Sequence, residues 1–232
     1  MTIFKFALLR GLRSPLSLIL NFAAPVALVF IRNFWQDGGE GGLTGGFMLL
    51  GALIMFGAFA AARGIFNDRT DGTVTRILSG PTTTLRYLAQ NLLACMVMMF
   101  IPIGVIVSVG AILHGWEISL AIWLFLCYTI FAAASVAFCF AWSCLFKTKE
   151  TSSALFSLAA MFMGYLGGLL LPAQFLPRAL NLIGAAFPPF WIARALENLL
   201  SYGATTQYWL SLLALVLFTV AFMLYGGKRR II

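Results

Sequence analysis

Hydrophobic positions in this chain come in long runs free of Asp, Glu, Lys and Arg: 14–31, 41–62, 87–116, 118–146, 151–177 and 198–227. Each meets the ~18-residue length that crosses a ~30 Å hydrocarbon core as a helix. Backbone polar groups in hydrocarbon must be paired within the structure, which leaves helices or closed barrels. The alternation of polar and apolar residues that marks a barrel strand is absent, so the runs predict helices. A shorter run, Ala179 to Ala193, holds Pro188-Pro189. It is not counted as a span, because proline inside a helix removes a hydrogen bond and clashes with the preceding turn.

The expected fold is therefore an all-α integral membrane protein in one transmembrane domain, with six spans at 14–34, 43–62, 87–113, 118–146, 151–171 and 206–227. Residues 1–13 mix Phe4, Phe6, Leu8, Leu9 and Leu12 with Lys5, Arg10 and Arg13, which suits an amphipathic helix at the membrane interface. The early charge and later apolar run resemble a signal peptide, but the run continues as a full span, so an uncleaved first helix is expected. Composition agrees: 62% of residues are hydrophobic, 9% are charged, and mean hydropathy is +0.98. A soluble domain carries about 25% charged residues.

The basic residues set the orientation. Lys5, Arg10, Arg13, Arg63, Arg69, Arg76, Arg86, Lys147, Lys149, Lys228, Arg229 and Arg230 fall on one side of the six spans, against Arg32, Arg178 and Arg194 on the other. That asymmetry places both termini in the cytoplasm. Topology and attraction to anionic lipid heads account for the net charge of +8, and nucleic-acid binding is not needed.

Several function classes drop out. No lysine stands in the glycine spacing of a phosphate-binding loop, so the chain is not expected to hydrolyse ATP by that route. The run Gly38 to Gly46 lacks such a lysine and reads as a flexible loop leading into the second span. None of Asp37, Glu40, Asp68, Asp71, Glu117, Glu150 and Glu197 lies mid-span, which disfavours a proton-driven carrier. His114 reads as an ordinary loop histidine, and no nucleophile–base pair is visible. Cys95, Cys127, Cys139 and Cys144 lie in spans without metal-ligand spacing and read as packing residues. No catalytic or metal-binding residue is expected.

Two segments outside the spans carry more information. In 63–86, Asp71 suits a helix N-cap and Gly80-Pro81 a stop, while Val74, Ile77 and Leu78 share one face of the helix between them. That apolar face needs cover, either from lipid heads or from a cytoplasmic partner. Residues 172–203, broken by Pro172, Pro177, Pro188 and Pro189, are expected to form short interfacial or re-entrant helices on the outer side. Their last helix sets Arg194, Glu197, Asn198 and Ser201 against Phe190, Trp191, Ile192, Ala195, Leu196, Leu199 and Leu200. Arg194 and Glu197 are spaced for a local ion pair, and Gly164 with Gly168 permits close helix contact.

Together these segments resemble the ABC type-2 transporter permeases. The first carries Asp68-Arg69, Gly72-Thr73, Val74 with Ile77-Leu78, and Pro81. The second carries Gly167-Gly168, Pro172, Phe175-Leu176-Pro177 and Phe187-Pro188-Pro189. Asp68 stands where glutamate is commoner in that family, and Phe187 where asparagine is expected.

The resemblance implies a permease subunit of an exporter, not itself an enzyme and without a cofactor of its own. ATP and Mg would sit on separate ATP-binding cassette subunits. A second permease, identical or homologous, would complete the assembly in a bacterial or archaeal cytoplasmic membrane. The 73–79 helix would be the coupling helix. Asp68, Arg69, Asp71, Gly72, Thr73, Val74, Arg76, Ile77, Leu78 and Pro81 would form the ATPase contact. Spans two and five would line the path of a drug, peptide or lipid-like cargo, with Met55, Phe56, Phe59, Phe156, Met161, Phe162 and Tyr165 available to it. Two other classes remain open from the residues: an ATPase-independent channel or lipid scramblase, and the membrane component of an energy-coupling-factor importer.

Overall fold

Each apolar run closes its backbone hydrogen bonds internally, and the helices that result are held together by a small set of buried aromatic and polar contacts. The computed structural model describes residues 2–31, 42–80, 83–146, 148–171 and 177–228. Among them the regular elements are all helical: α1 (Thr2–Leu12), α2 (Pro15–Leu18), a π-helical turn (Ile19–Ala23), α3 (Ala24–Phe30), α4 (Gly42–Thr70), α5 (Thr73–Leu78), α6 (Thr84–His114), α7 (Ile118–Ser143), α8 (Lys149–Leu166), α9 (Arg178–Gly184), α10 (Pro188–Tyr202) and α11 (Thr206–Lys228).

Four of these, α4, α6, α7 and α11, are long and apolar enough to cross a membrane. The shortest has 23 residues. At 1.5 Å per residue such a helix reaches ~35 Å, more than a ~30 Å hydrocarbon core. The expected first and fifth spans are less regular. The first is divided at the π turn. Pro25 has no N–H to donate to Asn21, and its ring crowds that carbonyl, so the helix widens there. The Asn21 amide folds back to Ser17 O at 2.9 Å and reaches Gly57 O at 3.3 Å, tying this segment to α4. The fifth, α8, ends at Leu166, five residues before the expected boundary.

Other boundaries also move. Gly42 to Gly46 belong to α4 rather than to a loop, and α4 continues past residue 62 to Thr70. Arg63, Asp68 and Arg69 thus stand on a helix. The extension is held because Ile65 and Phe66 are buried in the bundle. Gly38 to Gly41, Pro81, Lys147, Pro172, Phe175 and Leu176 lie outside the described residues.

The core forms around α7, which packs against α4, α6, α10 and α11. Its stretch from Phe131 to Ala137 is rich in alanine, and small side chains let neighbouring helices approach closely without a hydrophobic drive from lipid. Buried tyrosine hydroxyls find backbone acceptors across the interfaces. Tyr128 donates to Phe47 O on α4 and Tyr208 on α11 donates to Trp123 O on α7, both at 2.8 Å. Cys95, Cys127 and Cys139 are buried among these helices as packing residues.

α10 presses Ile192, Ala195, Leu196 and Leu199 into this core. Pro188 and Pro189 occupy its first turn, where a missing N–H costs nothing. The glycines before it have a steric role. A Cβ on Gly167 would lie 2.7 Å from the Phe190 nitrogen, and Gly168 has φ +85°, which favours glycine. Leu169 and Leu170 N–H both return to Gly164 O in the same turn, so the Gly164–Gly168 pair closes a bend within the chain. The expected Arg194–Glu197 ion pair does not form. The Arg194 guanidinium lies over the Phe190 ring, 5.1 Å from its centre.

Candidate functional site

The end of the bundle that carries α1, α5, the α7–α8 turn and the last residues of α11 is the basic end, and two constellations occupy it. The first surrounds α5. Gly72 has φ +67° and stands at the N-cap position, with no side chain capping the helix. Asp71 therefore does not cap it: the left-handed turn at Gly72 reverses the chain, and Asp71 is exposed. At the other end Ser79 Oγ donates to Arg76 O at 2.8 Å.

Two residues of the apolar face of α5 turn toward the bundle. Val74 is 1% exposed within the core, and Ile77 packs against it. Among the described side chains, Thr75 and Arg76 of α5 and Asp71 and Ser79 beside it are exposed, and all four are polar. Pro81 lies outside the described residues, as do the side chains of Arg69 and Leu78.

Asp68 faces inward as well. Its side chain is 17% exposed, forms an ion pair with Arg10 of α1, and accepts a 2.7 Å hydrogen bond from the Tyr87 hydroxyl of α6. The acid expected to meet a partner is engaged in joining α1, α4 and α6. Arg10 and Tyr87 have no sequence signal tying them to Asp68, because they lie 58 and 19 residues away.

The second constellation lies where α4, α7 and α8 meet. The residues expected along a cargo path divide here. Phe59 of α4 and Phe156 of α8 stack face to face, with ring centres 3.9 Å apart and planes 9° apart. Phe138 and Trp142 of α7 pack against Phe156, and the Trp142 indole donates to Ser152 O at 3.2 Å. Met55 is buried and Phe56 half-buried on α4. Met161, Phe162 and Tyr165 are exposed on the opposite face of α8. The structure brings Phe59 and Phe156 together and leaves those three outside the contact.

Beside the aromatic stack is a narrow cleft lined by Phe59, Ala62, Arg63 and Phe66 of α4, Cys139 and Ser143 of α7, and Ser152 and Ser153 of α8. These polar residues were not singled out by the sequence. The available signal was the Thr151-Ser152-Ser153 cluster at the start of an apolar run, and nothing linked it to Arg63.

A family model described as ABC-2 family transporter protein matches residues 12–227. No curated protein matches the chain.

Proposed function

The chain belongs to the ABC-2 family of transporter proteins, and on that premise we propose that it is the permease subunit of an ATP-driven exporter for a hydrophobic or amphiphilic cargo. The segment from α2 to α3, together with α8, supplies the first and fifth of six spans beside the four long helices. Both termini face the cytoplasm of a bacterium or archaeon. ATP and Mg are handled by a separate ATP-binding cassette subunit, and a second permease completes the pair.

The observation that supports this reading is the build of α5. Val74 anchors it to the bundle while Thr75 and Arg76 face outward. A short helix backed by a packed core moves as a rigid body when a partner pushes on it. Only Asp71 and Gly72 separate α5 from α4, so displacement of one carries the other. α4 bears Phe59, and its movement parts the stack with Phe156 and opens the junction with α8. ATP-driven closure of the partner subunits is the source of that push.

The test is co-purification of the tagged chain with an ATP-binding subunit expressed from a neighbouring gene, in wild type and Arg76→Glu. Retention by wild type and loss in the variant supports the reading. Failure of wild type to retain any such subunit refutes it, and the chain would then be assayed alone in liposomes.

A further inference from the structure

α1, α6 and α11 meet at the basic end and contain no Asp or Glu, and the chain has neither before Asp37. Arg10 is already paired with Asp68. Lys5, Arg13 and Arg86 are exposed, and among the described residues they make no ion pair. Uncompensated positive charge draws anions, and more strongly beside a low-dielectric surface.

Beyond Arg86 the same face of α6 is apolar. Leu93, Val97 and Phe100 follow it by seven, eleven and fourteen residues, close to two, three and four turns. They are 59%, 41% and 50% exposed. At 1.5 Å per residue the stripe from Arg86 to Phe100 is ~21 Å long, room for a head group and the ~15 Å of hydrocarbon in one leaflet.

The stripe is flanked on both sides. Met98, one residue past Val97, turns toward α1 and fills the space that a Cβ on Gly11 would take. Leu85, one residue before Arg86, meets Gly227 of α11. One step along a helix is about 100° of rotation, so these neighbours stand on opposite flanks. On α1, Phe6 and Leu9 are 70% and 41% exposed, on the face that carries Lys5 and Arg13.

A second copy of this chain does not suit the surface. Two such faces meeting about a two-fold axis would set Lys5, Arg13 and Arg86 against their own counterparts with no acid between them. A lipid supplies both the negative head and the long apolar tail.

We propose that α6 and α1 form a seat for anionic phospholipid in the leaflet at the basic end. One lipid sets its phosphate on Arg86 and an acyl chain along Leu93, Val97 and Phe100, while Lys5 and Arg13 draw further anionic heads to α1. The seat does not depend on the chain being a permease.

The experiment is native mass spectrometry of the full chain released from an uncharged detergent. Dioleoyl phosphatidylglycerol and dioleoyl phosphatidylcholine are titrated in parallel, with glycerol phosphate as the head without its chains. Wild type should retain phosphatidylglycerol about tenfold more tightly than phosphatidylcholine, the worth of one to two cations near an anionic head. Arg86→Gln should lose about fivefold for the first phosphatidylglycerol bound, and Arg86→Lys should restore most of it. Lys5→Gln with Arg13→Gln should lower the number of lipids retained. Arg194→Gln, an exposed cation on α10, should bind as wild type.

Equal retention of the two phospholipids by wild type overturns the proposal. So does Arg86→Gln binding phosphatidylglycerol as wild type does, an equal loss in Arg194→Gln, or glycerol phosphate held as tightly as the intact lipid. Should Arg86→Gln fail to fold, the wild-type comparison of the three probes still decides. No transport or ATPase enters the assay, so a negative result leaves the permease reading in place.

Discussion

The Tyr87 hydroxyl donates a 2.7 Å hydrogen bond to one carboxylate oxygen of Asp68, and Arg10 pairs with the other. A single acid thus joins three helices that are distant in sequence. Such contacts to an ionised group contribute more than neutral ones, and removing the acid strands a phenol and a guanidinium. Asp68→Ala should destabilise the protein by about 1–3 kcal/mol in reversible unfolding from mixed micelles, with protease cleavage rising first near α1. Unchanged stability would show that α1 is held by apolar packing alone.

Separation of fold from docking on α5 gives a second prediction. Val74→Asp places a carboxylate at a position that is 1% exposed, so the variant should lose its cooperative melt. Arg76→Glu alters an exposed side chain and should melt within about 0.5 kcal/mol of wild type while losing the ATP-binding subunit. Loss of folding in both variants would show that α5 has no separable outer face.

Phe156 is fully buried and stacked on Phe59. Truncation to alanine should cost about 3–5 kcal/mol, the usual range for a buried aromatic. Phe156→Leu, which keeps most of the volume, should cost markedly less. The checking measurement is the unfolding midpoint of each variant in the same detergent.

Burial of Glu197 on α10 raises its carboxyl above the ordinary range, and nearby Arg194 partly opposes that shift. A carboxyl with a raised pKa in the folded state stabilises that state when protonated, so its contribution is lost as pH rises through the folded value. Glu197→Gln should therefore melt about 1–2 °C higher than wild type at pH 7. The gap should close as pH falls to about 4, where glutamate is protonated even in the unfolded chain. A gap that is constant with pH would mean that solvation of Glu197 does not change on folding.

The helical membrane character of this protein was legible in the chain alone, because hydrocarbon leaves a backbone few ways to satisfy its polar groups and long apolar runs reveal the solvent directly. Legible for the same reason were the central positions of the four long helices, whereas the short helix near 73–79 was readable from the helical spacing of Val74, Ile77 and Leu78. The glycine and proline punctuation after α8 was also readable, and the structure supplies its cause in the Gly167 contact with Phe190 and the left-handed backbone at Gly168.

What only the tertiary structure decided is which side of each element is in use. Val74 belongs to the core, Asp68 is held by Arg10 and Tyr87, and Arg63 shares a cleft with Ser152 across some ninety intervening positions of sequence. Periodicity reports that a helix has an apolar face, but not whether its own bundle or a partner covers it. A lone charge in a sequence likewise carries no record of its counter-charge, since ion pairs form between positions that chain order leaves far apart. Pairing of this kind is settled by packing, where the shape of the neighbouring helices determines which polar groups meet and which are left facing a cleft.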